Sequence, residues 1–260
     1  DPNGNSFKAG PSNAQHWYIE GGGIFANNNA VDYRTNVNFL DVNCVTAVGT
    51  ATGFNCTVSQ NNPGLKYAFP EDIIPLLPPI PACTGTAYYD NRGDGKIHEE
   101  AGYEGEGSVW SGGLDDHPWA PGIYCITNAG GNIHGTVSGT GVTFYIADTD
   151  FTMRYNGGGC FAAQAPTSGP YAGVLMFSNV TTTPCTQNVS FRGNGSAGIV
   201  GTIFMPSACI DWRGNSVAHM DHVQIIGYDV SSNGSASMYI SYNADEQYES
   251  VIPAEIELSK

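Results

Sequence analysis

The chain has 260 residues, enough for a hydrophobic core of its own, and carries 9 Lys and Arg against 24 Asp and Glu, a formal net charge of −15. That balance excludes a nucleic-acid binder, which needs a basic patch, and argues against anionic polysaccharides and acidic membrane surfaces as partners. Charged residues are only 13% and glycines number 34, with Val, Ile, Thr, Tyr and Phe in short runs broken by Gly, Asn, Ser and Pro, a strand-and-turn composition.

Residues 1–16 are polar and without pattern, and read as an N-terminal arm that docks on a neighbouring subunit or on its own domain. Residues 17–62 hold short strands, among them Trp17-Tyr18-Ile19, Gly23-Ile24-Phe25-Ala26 and Val37-Asn38-Phe39-Leu40, and predict the first coils of a solenoid. Over 63–122 the pattern breaks. Pro70, Pro75, Pro78, Pro79 and Pro81 exclude a central strand or long helix, and an acidic, glycine-rich stretch follows from Asp90 to Asp116. This region is expected to be an insertion or cap.

Strands resume over 123–245. Pro121-Gly-Ile-Tyr-Cys125, Gly141-Val-Thr-Phe-Tyr-Ile146, Gly173-Val-Leu-Met-Phe177 and Gly201-Thr-Ile-Phe-Met-Pro206 each run from glycine into large apolar residues. Units recurring every few dozen residues predict stacked coils, and Gly-Asn corners such as Gly193-Asn194-Gly195 suit turns at positive φ. The expected fold is therefore all-β, a right-handed parallel β-helix. The rival is a β-sandwich or jelly roll, which calls for tight hairpins that are scarce here. Residues 246–260 form a C-terminal strand or tail, in which Ile252, Ala254, Ile256 and Leu258 alternate with Val251, Pro253, Glu255 and Glu257. These four apolar residues are expected to mediate assembly or to cap the domain.

Seven cysteines, none in a CxxC pair, suggest an oxidising compartment. Neighbours in sequence suggest Cys44–Cys56, Cys83–Cys125 and Cys160–Cys185, leaving Cys209, although spacing does not fix connectivity. No apolar run reaches the length of a membrane span. With Asp1 first and no signal peptide, the expectation is a mature exported chain whose leader has been removed. Sequons at Asn55, Asn179, Asn188, Asn194 and Asn233 would permit glycosylation.

From Pro121 onward the sequence resembles the C-terminal region of TadG-like proteins of the Tad/Flp pilus system. The resemblance rests on Pro121-Gly-Ile-Tyr-Cys125, the run from Gly139 to Ile146, the run from Ala165 to Val174, the run from Gly198 to Ser207, and Ile210-Asp-Trp-Arg-Gly-Asn215. Gly21-Gly-Gly-Ile-Phe-Ala-Asn27 and the prolines leading to Cys83 extend it, so that it spans roughly residues 17–245. It implies an extracellular β-helical module associated with pili or the cell surface, without a known active site, and it supports pairing Cys83 with Cys125. Residues 1–260 carry neither the membrane-spanning N-terminal helix nor the integrin-like metal domain expected of many members of that family.

Three groups could carry chemistry. Asp90-Asn-Arg-Gly-Asp-Gly-Lys-Ile-His-Glu-Glu100 has the Asp, Asp and Gly of a calcium loop, with Asp90, Asp94, Glu99 and Glu100 as candidate ligands of a structural calcium. Arg92 and Ala101 occupy ligand positions, and the competing reading is a solvated acidic loop. His219, Asp221 and His222 form a transition-metal candidate if a turn brings them together. Asp115, Asp116 and His117 beside Trp119 could serve acid–base work next to a sugar platform. Arg192 and Arg213 are placed to share a face of successive coils. No GxSxG elbow, phosphate loop, dinucleotide fingerprint or HExxH is present.

These observations together predict a secreted, non-enzymatic structural subunit that self-assembles into a homo-oligomer or filament through exposed strand edges or terminal arms. A carbohydrate-binding adhesin using Tyr and Trp near 103–119 is the alternative. A polysaccharide lyase or glycosidase ranks last, because the cations such chemistry needs are scattered along the chain.

Overall fold

The computed structural model describes residues 4–10, 16–34, 37–41, 44–68, 71–100, 106–114, 117–128, 130–155, 160–181, 184–192, 198–214, 217–220, 222–234 and 237–249. It is a parallel β-helix of about nine turns. Three faces succeed one another along each turn. Gly122–Ile126, Gly130–Ile133 and Val137–Thr140 make one turn, and Val142–Ile146, Thr152–Tyr155 and Phe161–Gln164 make the next. Each strand pairs in parallel with its counterpart one turn on. Among the described strands the single antiparallel pair joins Tyr88–Tyr89 to Ile97–His98, so the hairpin-built sandwich does not apply.

The corner that leads into the first face is made by glycine. Gly141 and Gly173 both sit at φ +74°, and Gly201 follows at +119°. Residues with a Cβ rarely adopt these angles. At Gly173 a Cβ would also lie 2.3 Å from the Gln247 carbonyl carbon.

Order in space differs from order in sequence. On the first face, rungs stack from Gly85–Thr86 through Ser108–Trp110, Gly122–Ile126, Val142–Ile146 and Val174–Phe177 to residues 201–205 and 223–227. The long strands Gly201–Gly214 and Val223–Gly234 then bend to supply the second face as well. The start of the chain stacks beyond them. Asn5–Ala9 pairs with the second half of Val223–Gly234, Phe7 opposite Val230, and His16–Glu20 pairs with Ser237–Ser241 on the third face. Asn29–Asp32 and Ala51–Thr52 continue the stack. The N-terminal coils expected over 17–62 therefore sit next to the C-terminal coil, and Asn5–Ala9, part of the expected N-terminal arm, packs on its own domain as an interior strand between two others.

The interior carries an aromatic column that crosses this junction. Ring contacts link Trp110, Trp119, Phe144, Phe161, Phe191, Trp212, Trp17, Phe7 and Phe54 in unbroken succession. Phe191 and Trp212 stack at 5.2 Å, and Trp212 meets Trp17 edge-on at 6.2 Å. Such contacts contribute about 0.5–1.5 kcal/mol each beyond the area they bury. Two polar links reinforce the junction: the Trp17 indole N–H donates to Ser232 Oγ at 2.9 Å, and Lys8 Nζ lies 2.5 Å from Asp229 Oδ2.

The expected insertion over 63–122 divides in two. Gly85–Thr86, Ile97–His98, Ser108–Trp110 and Pro118–Trp119 are rungs of the solenoid. Residues 63–68 and 71–84 lie outside it, as a strap along the outer side of the first face. Its beginning is tied where Asn27 and Tyr67 exchange hydrogen bonds at 2.7 and 2.8 Å, and its end by the Cys83–Cys125 disulfide. With rungs about 4.8 Å apart, those anchors are roughly 29 Å apart along the axis. Ile73, Leu76 and Leu77 pack between them against the outward residues Ile123, Tyr145, Phe177 and Phe204. The prolines keep this segment out of the ladder, and its leucines and isoleucines cover an outer face that would otherwise be greasy.

The expected pairs Cys44–Cys56 and Cys83–Cys125 are both present. The expected Cys160–Cys185 pair is not. Cys185 bonds Cys209, with 4.8 Å between Cα atoms, and Cys160 lies outside the three disulfides. The reason is register: Gln187–Arg192 lies in parallel beside residues 208–213, which brings the chain entering that strand level with Cys209.

Both ends of the stack are short. One ends on Gly85–Thr86 with the Tyr88–Tyr89 hairpin turned back beside it, and the other on Ala51–Thr52 with the loop closed by Cys44–Cys56. Two-residue edges and covering loops are the usual means of blunting an open sheet.

Candidate functional site

The acidic loop opens the first turn of the solenoid. Asp90 closes a tight turn on itself, its Oδ1 accepting from the backbone N–H of Arg92 and Gly93. Asp94 accepts from Lys96 N–H at 3.1 Å and meets His98 Nε2 at 2.8 Å, and this contact with His98 holds its carboxyl below the usual carboxylate range. Glu99 turns the other way and accepts the backbone N–H of Ile123 on a neighbouring rung, while Glu100 accepts from Thr86 N–H. The four expected calcium ligands thus go to four separate partners. Among the described residues no group of three or more His, Cys, Asp or Glu side chains is placed to hold a metal ion.

Trp119 is not a platform. It is 2% exposed and belongs to the aromatic column. Alternation decides this: in the short strand Pro118–Trp119 the proline faces out and the tryptophan in. His117 stacks on Tyr89 at 4.3 Å, and His98 on Tyr88 at 5.8 Å, so exposed aromatics do cluster at this end. Asp115, Asp116 and residues 101–105 lie outside the described residues, as do Ile252, Ala254, Ile256 and Leu258.

His219 and His222 are separated by the end of the strand Val217–Met220, and Asp221 is outside the described residues. His222, at φ +56°, is the corner before Val223; its Nδ1 meets Glu246, and its carbonyl accepts from Gln247 Nε2. That corner therefore anchors the C-terminal segment. Arg192 and Arg213 are in register on adjacent rungs, and Arg213 Nε lies 2.5 Å from Asp211 Oδ2.

The outer side of the third face carries a feature that sequence reading passed over. Tyr18 and Tyr239 are in register and stack at 4.5 Å with 11° between their planes. His16 lies beside Tyr18 at 6.3 Å. Tyr239 is 37% exposed. The signal was available in Trp17-Tyr18-Ile19 and Met238-Tyr239-Ile240, where tyrosine alternates with two inward apolar residues, but pairing across 221 positions is invisible before the fold is known. Flat aromatic surfaces of this kind suit the apolar faces of sugar rings or another aromatic side chain.

No family model, curated protein or solved structure matches the chain. Fold and chemistry therefore define it: a disulfide-pinned parallel β-helix with an acidic surface. No helix among the described residues is long and apolar enough to cross a membrane.

Proposed function

We propose that the protein is a secreted structural subunit of an extracellular assembly, a pilus-like appendage or cell-surface layer. The observation that carries this reading is where its carboxylates go. Glu99, Glu100, Asp90 and Asp32 accept hydrogen bonds from backbone N–H groups of turns and neighbouring rungs. These carboxylates tie turns and neighbouring rungs together. Three disulfides fit an oxidising, extracellular setting, and an aromatic column running from turn to turn makes the body stiff. Electron microscopy of the purified protein over a range of concentrations tests the reading. Regular oligomers or filaments are expected, and monomers at every concentration would overturn it.

The stacked Tyr18 and Tyr239 favour a second reading, adhesion to glycans by the outer third face. Binding on a glycan array that is lost in Tyr18→Ala and Tyr239→Ala, with the fold retained by circular dichroism, would support it. Equal binding by these variants would remove it.

A further inference from the structure

The junction between the N-terminal coils and the coil they stack on carries no disulfide. Cys44–Cys56 closes a loop within the N-terminal coils, Cys83–Cys125 ties the strap, and Cys185–Cys209 joins rungs short of the junction. Asn5–Ala9 and His16–Glu20 are held on Val223–Gly234 and Ser237–Ser241 by ladder hydrogen bonds, packed side chains and the Lys8–Asp229 pair.

The stacked tyrosines of the third face lie across this junction. Tyr18 stands opposite Tyr239 in the parallel pairing of His16–Glu20 with Ser237–Ser241. Their inward neighbours Trp17, Ile19 and Met238 are buried, so the core holds the two strands in this register. With centroids 4.5 Å apart and planes 11° from parallel, ring carbons of the two phenols are in contact. Among the ring contacts of the described residues this is the one that joins two tyrosines. Tyr88 and Tyr89 are exposed but stack on His98 and His117. Tyr124, Tyr145 and Tyr171 are buried. Tyr239, 37% exposed on the outer side, is open to reagents in solution.

We propose that Tyr18 and Tyr239 form an oxidative cross-linking site, at which hydrogen peroxide and a one-electron oxidant of the haem peroxidase class join the two rings through an ortho–ortho carbon bond. Each phenol gives up one electron and its hydroxyl proton. The two phenoxyl radicals couple through one ring carbon each. The hydrogens displaced from those carbons return to the oxygens as the rings regain aromaticity. One hydrogen peroxide takes up the two electrons and two protons and leaves as two waters. The register supplies what coupling needs, two rings held against each other rather than meeting by diffusion. The bond links positions 221 apart and fastens the N-terminal coils to the C-terminal coil. It restricts the unfolded chain as a disulfide does. The inference goes beyond the assembly reading and stands whether or not the same rings bind glycans.

The test treats the purified protein with hydrogen peroxide and a haem peroxidase, then digests it and reads the peptides by mass spectrometry. The expected product is a monomer lighter by two hydrogens, in which one linked peptide joins Tyr18 to Tyr239. It should form several-fold more in the folded protein than in urea, and should disappear in Tyr18→Phe and Tyr239→Phe. Phenylalanine keeps the stacked ring, and circular dichroism checks that these variants are folded. Tyr88→Phe should leave the product unchanged. The linked monomer should unfold at a higher urea concentration than the untreated protein, and the same peptide is expected in protein taken from the cells that make it. Links formed mainly by other tyrosines, or between chains, would overturn the proposal. So would an equal yield in urea, or the absence of the linked peptide from the native source.

Discussion

Tyr124 shows how single side chains hold neighbouring turns. Its ring is buried among Trp119 and Phe144, and its hydroxyl, with one proton to share, lies 2.8 Å from the Ala120 carbonyl oxygen and 3.0 Å from that of Ile97. Burial, with the Glu99 charge adding to it, pushes the phenol well above its ordinary value of 10.0. The neutral form is thus favoured in the folded state. Its contribution is fully present below pH 10.0 and is lost as pH rises beyond that point, because the unfolded chain ionises first. Tyr124→Phe removes the donor that these carbonyls share, Ile97 O keeping its bond from Ala120 N–H, and should cost about 1–3 kcal/mol at neutral pH. Urea denaturation should also show a shallower alkaline decline in the variant; an unchanged midpoint at neutral pH would contradict the role assigned to the hydroxyl. At this scale the sequence was legible in the runs from glycine into large apolar residues that hold Tyr124 and Phe144, both of which the structure buries. It misled at Trp119, because a two-residue strand offers too little pattern to show which residue faces in. It was silent on Tyr18 and Tyr239, whose partnership depends on a fold-level closure.

The strap is the element that sequence reading half recognised. Its prolines announced a segment outside the ladder, and the resemblance of its last residues suggested the Cys83–Cys125 bond. Its end was placed too late, at 122, because the glycine-rich acidic stretch hides rungs only two or three residues long. The third disulfide was mispaired for a related reason, since neighbours in sequence are a poor guide in a solenoid where each turn brings residues 20–30 apart side by side. Cys83→Ser tests what the strap contributes. The bond closes a span of 42 residues, and loss of that constraint corresponds to about 4 kcal/mol in the chain-entropy model. Ile73, Leu76 and Leu77 should then loosen from the outer face, giving new protease cleavage in 66–82 before global unfolding. Cleavage that begins instead in the coils would show that the apolar contacts alone keep the strap seated.

For the whole molecule, the fold class was readable from glycine corners followed by apolar runs, and the parallel β-helix follows from them. The order of the turns was not readable, because nothing local tells residues 5–9 that their partner lies at 230–231. That partnership makes a kinetic prediction. Pulse-labelling hydrogen exchange during refolding should protect residues 122–146 before 16–20, since the former stack on near neighbours and the latter require Ser237–Ser241. Simultaneous protection would mean that the N-terminal coils condense without their template. The same partnership has a consequence for a chain made from its amino end. Residues 5–60 emerge long before the surface they stack on, residues 229–241, has been synthesised. They must wait, with Phe7 and Trp17 uncovered, until residues 229–241 have cleared the exit. Any cell that makes this protein has to shield that nascent segment, or keep the interval short, and holdase demand should fall if the gene is rearranged so that translation begins at residue 85.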